Sequence, residues 1–474
     1  MSRLIKATSW TSISTIVNLS LTMLQLAILV RILAPSVFGQ FAVVNLILEI
    51  FVAFALGGIS NFLIYKSDVD EKTSNAIYFL ALAIGAIFSG LLYILAPFIA
   101  TQFGYGAIVQ ELRLATILLV ISSLSSQYQA VGMKHFEHQT IAQIDIAAKI
   151  GSFIFAITNA ELELLCLVGA VVVYQVLRLI GFIIFLGKHV KLSHHVDTSV
   201  YREAFSYGIF DFGSQSLNIV RKQLDVMILA ITLPAAQMGV YHVVKQLASR
   251  PAQALQPVVG KVALPAFAEV KQVKQTLQRV YQDFYILQLF ILALIYVPII
   301  IFSDLVLVLV FGESYGEYSW VLSCLAAFWF VRVASSNLVG PLVQATGMTK
   351  RNFMWNIALL IPNTIVIYTS SQFGVLSLVA SMAVFQLILF PFVSYYFIAH
   401  IANVPFIYSA KNMAWIVVLF ALPLIIFKYF AIPMIPEIFL VQEAAVACVS
   451  GIVAFAVFLY TKGPKQSLIR VKGF

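Results

Sequence analysis

The stretch NIVRKQLDVMILAIT, Asn218 to Thr232, decides how this chain is read. It is long and apolar enough to belong to a helix that crosses a membrane, yet it contains Arg221, Lys222 and Asp225. A charge at the centre of such a helix costs on the order of 2.5–3.5 kcal/mol on insertion scales. These side chains are therefore expected to face a bundle interior or a wet cavity rather than lipid.

The surrounding chain supports a membrane reading. Of its 474 residues, 61% are hydrophobic and only 10% charged, and the mean hydropathy is +0.97. A water-soluble fold cannot hide so much apolar surface, so lipid must be part of its solvent. A span needs about 20 mostly apolar residues. The sequence predicts an all-α membrane protein with fourteen spans, near 10–33, 39–63, 76–100, 111–132, 140–158, 164–187, 205–232, 237–262, 284–306, 318–343, 353–371, 374–398, 413–431 and 439–461. An even number leaves both termini on one side. Nineteen of the 29 Lys and Arg fall in the segments on that side, against Arg31, Arg113 and Lys428 on the other. The bias makes both termini cytoplasmic. The net charge of +9 then reflects anchoring at the cytoplasmic face, and nucleic-acid binding is not implied. The first span is too long and polar-flecked for a cleaved signal and is expected to remain.

Loops are short. The segment 263–283 reads as an interfacial amphipathic helix, with Val270, Val273, Leu277, Val280 and Phe284 on one face. No separate soluble domain is predicted. Cys166, Cys324 and Cys448 lie in apolar runs without metal spacing, and His194 and His195 form a lone pair. No metal site and no cofactor are expected. The chain has no P-loop, which argues against direct ATP use.

Shifted by 200 residues, the chain matches itself. Across 14–44, nine residues find an identical partner, among them Asn18 on Asn218, Leu33 on Leu233 and Gly39 on Gly239. The shared text is a helix, a short turn (LAPSVFGQF against LPAAQMGVY) and a second helix. The shift covers six helices, so both halves insert the same way up, about a pseudo-two-fold along the membrane normal. The expected organisation is a six-helix lobe over 1–200, a second over 201–400, and two extra helices with a tail over 401–474.

Seven cations fall within the predicted spans: Lys149, Arg178, Arg221, Lys222, Lys245, Arg250 and Arg332. Four carboxylates accompany them: Glu49, Asp145, Asp211 and Asp225. Counted from the outer turn near Leu233 to Gly239, Asp225 and Lys245 lie roughly 10–12 Å deep and Arg221 and Arg250 share a deeper level. Asp225 is expected to pair with Lys245 or Arg221, and Asp145 with Lys149 at i,i+4. Arg221 or Arg250, Arg178, Lys222 and Arg332 then lack an obvious carboxylate. Unpaired cations in a cavity invite an anion, and the guanidinium fork suits phosphate. The other reading is structural: ion pairs, snorkelling side chains and carbonyl-bonded arginines. The first half carries Leu21, Thr22 and Gln25 where the second has Arg221, Lys222 and Asp225, so most of the charge comes from one half. Asn18, Gln25, Asn218 and Gln246 add uncharged polar groups that can bind sugar hydroxyls or join helices.

The count of spans, the paired halves and three segments together resemble a known family. The segments are LVRILAPSVFGQFAVV (Leu29–Val44), QAVGMKHFEHQTIAQIDIAAK (Gln129–Lys149) and VALPAFAEV (Val262–Val270). They look like the polysaccharide transporter family, the Wzx-type branch of the multidrug/oligosaccharidyl-lipid/polysaccharide flippase superfamily, and within it the branch of the colanic acid exporter. The resemblance covers at least 1–400. It implies translocation of undecaprenyl-diphosphate-linked oligosaccharide repeat units to the outer leaflet of the bacterial inner membrane. It further implies a V-shaped two-lobe cavity, alternating access, no enzymatic step, and work alongside membrane lipids, a polysaccharide polymerase and chain-length proteins. The family supplies no catalytic motif, so the candidate residues rest on the charge argument alone. Competing expectations are a multidrug/cation antiporter or a lipid-linked peptidoglycan precursor flippase of the same superfamily, and a membrane polymerase or ligase. The last needs catalytic carboxylates in an outer loop, and only Glu313 and Glu317 cluster there.

Overall fold

In lipid every backbone N–H and C=O must find a partner within the protein, and an apolar chain of this length meets that demand with helices. The computed structural model describes residues 2–56, 71–189, 201, 219–431, 446 and 449–453, and among these no strand forms. Eleven helical segments are long and apolar enough to cross a membrane, which makes this a multi-pass membrane protein. They correspond to eleven of the fourteen predicted spans. Of the other three, the first half of 205–232 and most of 439–461 fall outside the described residues. The remaining one, 237–262, lies inside one long helix, Ala235–Val270, that is too polar to be recognised by hydropathy. Apolar residues such as Ile94, Ile184, Ile361 and Phe392 stand largely exposed, as a lipid-facing surface requires.

The described chain forms two compact units, Met1–Val243 and Val244–Phe474, and the division falls within that long helix. In the first unit, α1 (Ser2–Val30) packs along the helix His138–Thr158, which in turn packs on Leu164–Leu186. Pro35 begins α2 (Pro35–Leu56), where a missing N–H costs nothing. Gly39 meets the segment that follows the second LAP-like turn. A Cβ at Gly39 would collide with the carbonyl oxygen of Ala235, and a Cβ at Gly239 with that of Pro35. The contact is reciprocal in the 200-residue shift: Pro35 matches Ala235 and Gly39 matches Gly239. Glycine is required at both places because the neighbour is backbone and cannot step aside.

The second unit is centred on the helix Lys274–Ile301, which packs on Ser319–Ser336 and on Phe406–Ile426. Its core is aromatic: Phe267, Tyr281, Tyr285, Tyr296, Phe302, Phe397 and Phe420 are all fully buried. The thirteenth predicted span, formed by Phe406–Ile426, packs on this central helix. The Tyr285 hydroxyl donates to the Ser409 carbonyl at 3.1 Å, and Lys428 Nζ donates to the Ile301 carbonyl at 2.6 Å.

The predicted interfacial helix over 263–283 does not form as a separate element. Ala235–Val270 runs to Val270 and the next helix begins at Lys274. Leu277, Val280 and Phe284 are buried in the core, with Phe267 packed against Tyr281 and Phe284. Three of the five residues of the predicted face thus turn into the unit's interior, whereas Val273, between the two helices, is exposed.

Candidate functional site

The candidate cations lie on two consecutive helices, 219–232 and Ala235–Val270, with Arg178 and Arg332 elsewhere. Leu233 and Pro234 alone separate the first two. This turn is tighter than the seven-residue turn expected from Leu233 to Gly239, because Ala235 and Ala236 already favour helix. The change moves the register. Asp225 lies eight residues before Leu233 and Tyr241 eight after it, so these two are level. The buried Asp225 accepts a hydrogen bond from the fully buried Tyr241 hydroxyl. Tyr241 was missed by a charge-based reading, although a count from the correct turn finds it. For the same reason Arg250, fifteen residues beyond Ala235, sits deeper than the level first assigned to it.

Lys222 is exposed, while Arg221, Lys245 and Gln246 are half-buried. Asn218 lies outside the described residues. Arg250 is half-buried and donates from Nη1 to Gln253 Oε1 at 3.1 Å. Gln253 Nε2 donates to Ser249 Oγ at 3.0 Å, and Ser249 Oγ to the Gln246 carbonyl at 3.2 Å. The result is a polar chain running along one stretch of the helix. Among the described residues, Arg250 Nε is buried and has no hydrogen-bond partner. The guanidinium thus bonds to a neutral amide through Nη1 and keeps a buried Nε donor without a partner among the described residues.

Arg178 differs from its expectation. It was predicted to lack a carboxylate and instead binds Asp145, Nε to Oδ1 at 2.7 Å. Its Nη2 donates to Gln129 Oε1 at 2.8 Å, and its Cζ lies 4.8 Å from the centre of the Phe182 ring. The i,i+4 partner proposed for Asp145, Lys149, donates instead to Gln25 Oε1 at 2.8 Å. Cross-helix partners thus take the groups that local spacing had paired, because side chains turned into a bundle meet neighbouring helices first. Gln25 is the residue that stands where Asp225 stands in the second half, so the first half acquires a cation at that place from another helix. Asn18 donates to Ser14 Oγ at 3.1 Å, which makes it an intrahelical tie in α1. Arg332 lies over Phe328 and Trp329, with Cζ 5.5 and 5.2 Å from the ring centres. In the first unit, Glu49 accepts from both Asn45 and Gln223.

Comparison with known proteins identifies the family. The model of the polysaccharide biosynthesis protein family matches residues 28–320, well over half of the chain. The chain belongs to this family. The amylovoran biosynthesis protein AmsL of Erwinia amylovora is 25% identical, across 80% of this chain and 99% of its own. The teichuronic acid biosynthesis protein TuaB of Bacillus subtilis is 24% identical over 80% and 78%. The lipopolysaccharide biosynthesis protein WzxC of Escherichia coli is 22% identical over 74% and 72%. Among solved structures, the inward closed conformation of the lipid II flippase MurJ superposes with a TM-score of 0.74 at 12% identity, covering 96% of this chain and 99% of that one. An inward-facing multidrug resistance transporter of the MATE family superposes at 0.61 with 15% identity, covering 84% and 95%. These likenesses show that the chain shares the fold of these two proteins.

Proposed function

We propose that this chain is a flippase for oligosaccharide repeat units linked to undecaprenyl diphosphate. The observation that carries the reading is Arg250, read as lying within a membrane span: its Nη1 donates to a neutral amide, and its buried Nε has no hydrogen-bond partner among the described residues. A polyprenyl diphosphate needs such a donor within the membrane, because its headgroup cannot cross about 30 Å of hydrocarbon unaided. Family membership supports a role in polysaccharide export, and the MurJ-like fold supports a lipid-borne substrate. Arg221, Lys222 and Lys245 supply further positive charge on the same pair of helices, and Arg332, packed on aromatic rings, supplies it from another. Gln246 and Gln253, on the same helix as Arg250, supply groups for sugar hydroxyls. Arg178, held by Asp145, braces the first unit and takes no direct part.

The transport cycle is alternating access. In this reading fourteen spans form two six-helix lobes about a two-fold along the membrane normal, and the reciprocal approach at Gly39 and Gly239 is of the kind that such an axis generates. Both termini lie in the cytoplasm of a bacterium, and the product passes to a polymerase on the far side of the inner membrane.

Deletion of the gene followed by lipid analysis tests this. Surface polysaccharide should disappear while lipid-linked repeat units accumulate in the cytoplasmic leaflet. Growth arrest with accumulating peptidoglycan precursors would instead make the chain a peptidoglycan-precursor flippase, and neither change would exclude both.

A further inference from the structure

The helix Ala235–Val270 contains Pro251, Pro257 and Pro265. Pro251 has no N–H, so the Leu247 carbonyl loses its partner four residues on. The next rung of the ladder would join Ala252 N–H to the Ala248 carbonyl. A side chain has entered it. Tyr296 Oη, from the helix Lys274–Ile301, accepts from Ala252 N at 3.2 Å and donates to Ala248 O at 3.0 Å. Tyr296, Ala248 and Ala252 are all fully buried, and the two alanines leave room for the ring. One rung thus lacks its donor, and both groups of the next are bound by a hydroxyl from another helix. Both are recognised causes of a kinked helix.

Arg250 projects from the other side of this turn, two residues and therefore about 200° from each alanine. Its neighbours Ser249 and Gln253 belong to the hydrogen-bonded chain that ends on the Gln246 carbonyl. The direction of Arg250 is consequently set by the same backbone that Tyr296 holds apart. Removal of the hydroxyl lets Ala252 N–H close fully onto Ala248 O, which straightens the turn and swings the guanidinium. In a membrane helix, opened backbone persists where protein or a wet cavity satisfies it.

We propose that Tyr296 is a positioning residue for diphosphate recognition: its hydroxyl holds the helix open after Pro251 and so aims Arg250 at the anionic headgroup. The inference rests on Arg250 contacting that headgroup. The test is a binding cycle on the purified full chain in detergent, with undecaprenyl diphosphate as the probe. Tyr296→Phe should weaken binding about five- to tenfold, the scale of one lost hydrogen bond. Arg250→Gln should weaken it at least as much, and the double variant should bind no worse than Arg250→Gln alone, since coupled residues are not additive. Pro251→Ala, which restores the Leu247 rung without touching the ring, should weaken binding in the same direction and serves if Tyr296→Phe is not recovered folded. If Arg250→Gln binds like the wild type, the headgroup reading itself fails. If Arg250→Gln weakens binding while Tyr296→Phe or Pro251→Ala does not, or adds to it independently, the positioning role of Tyr296 is overturned and the headgroup reading stands.

Discussion

Cells whose only copy of the gene encodes Arg250→Gln should make about 10- to 100-fold less surface polysaccharide, with normal amounts of the protein in the membrane. The magnitude follows from losing charge-assisted hydrogen bonds to a phosphate, about 1.5–3 kcal/mol, where 1.4 kcal/mol is a factor of ten. Expression should hold because the hydrogen bond of Arg250 to Gln253 is available to an amide as well. Arg250→Lys should retain part of the activity, since the charge survives while the two-pronged geometry is lost. Combination with Arg221→Gln should remove what remains. Arg178→Gln offers a contrast. It strands Asp145, whose bond to Arg178 is short and largely shielded from solvent, so its effect should appear as a lower melting temperature and less folded protein. Quantitation of polysaccharide beside a detergent melting curve separates the two classes. Equal behaviour of the Arg250 and Arg178 variants would remove the distinction drawn here between a binding cation and a bracing one.

The second large effect belongs to the glycine crossing. Gly39→Val and Gly239→Val should each abolish folded protein, and the corresponding alanine variants should lower the melting temperature. Overpacking commonly costs about 1–3 kcal/mol when side chains can adjust. Here the obstacle is a backbone carbonyl on each side, so the helices themselves must separate. Gly104, where a Cβ would meet no heavy atom but φ is +75°, provides a comparison: Gly104→Ala strains the backbone without moving two helices apart. Melting curves in one detergent check both. Gly39→Ala and Gly239→Ala variants as stable as the wild type would show that these helices do not approach so closely in the membrane.

The sequence disclosed the fold wherever lipid imposes a strict rule. Eleven apolar spans were legible because the bilayer core demands length and apolarity at once. The helix Ala235–Val270 was legible only in part. Its glutamines, basic residues and three prolines lower its hydropathy, and its true start at Ala235 was obscured by the turn-like residues around it. That misplaced start shifted every depth counted from it and hid the pairing of Tyr241 with Asp225. The cations themselves were visible, since charge in an apolar helix stands out. Their partners were not. Arg178 and Asp145 are 33 residues apart, and Lys149 and Gln25 are 124 apart, whereas spacing along one helix reports only the nearest turn. The insertion of Tyr296 into the ladder of another helix left no periodic trace at all, because one tyrosine among many in an aromatic core carries no local signature.

The most direct test of the central claim is a transport measurement in proteoliposomes. Purified protein is reconstituted with undecaprenyl-diphosphate-linked oligosaccharide, and the fraction of headgroups accessible from outside is followed over time. The account predicts fast equilibration with the wild-type protein and a rate near that of protein-free vesicles for the Arg221→Gln, Arg250→Gln double variant. Transport by that variant at the wild-type rate would contradict it.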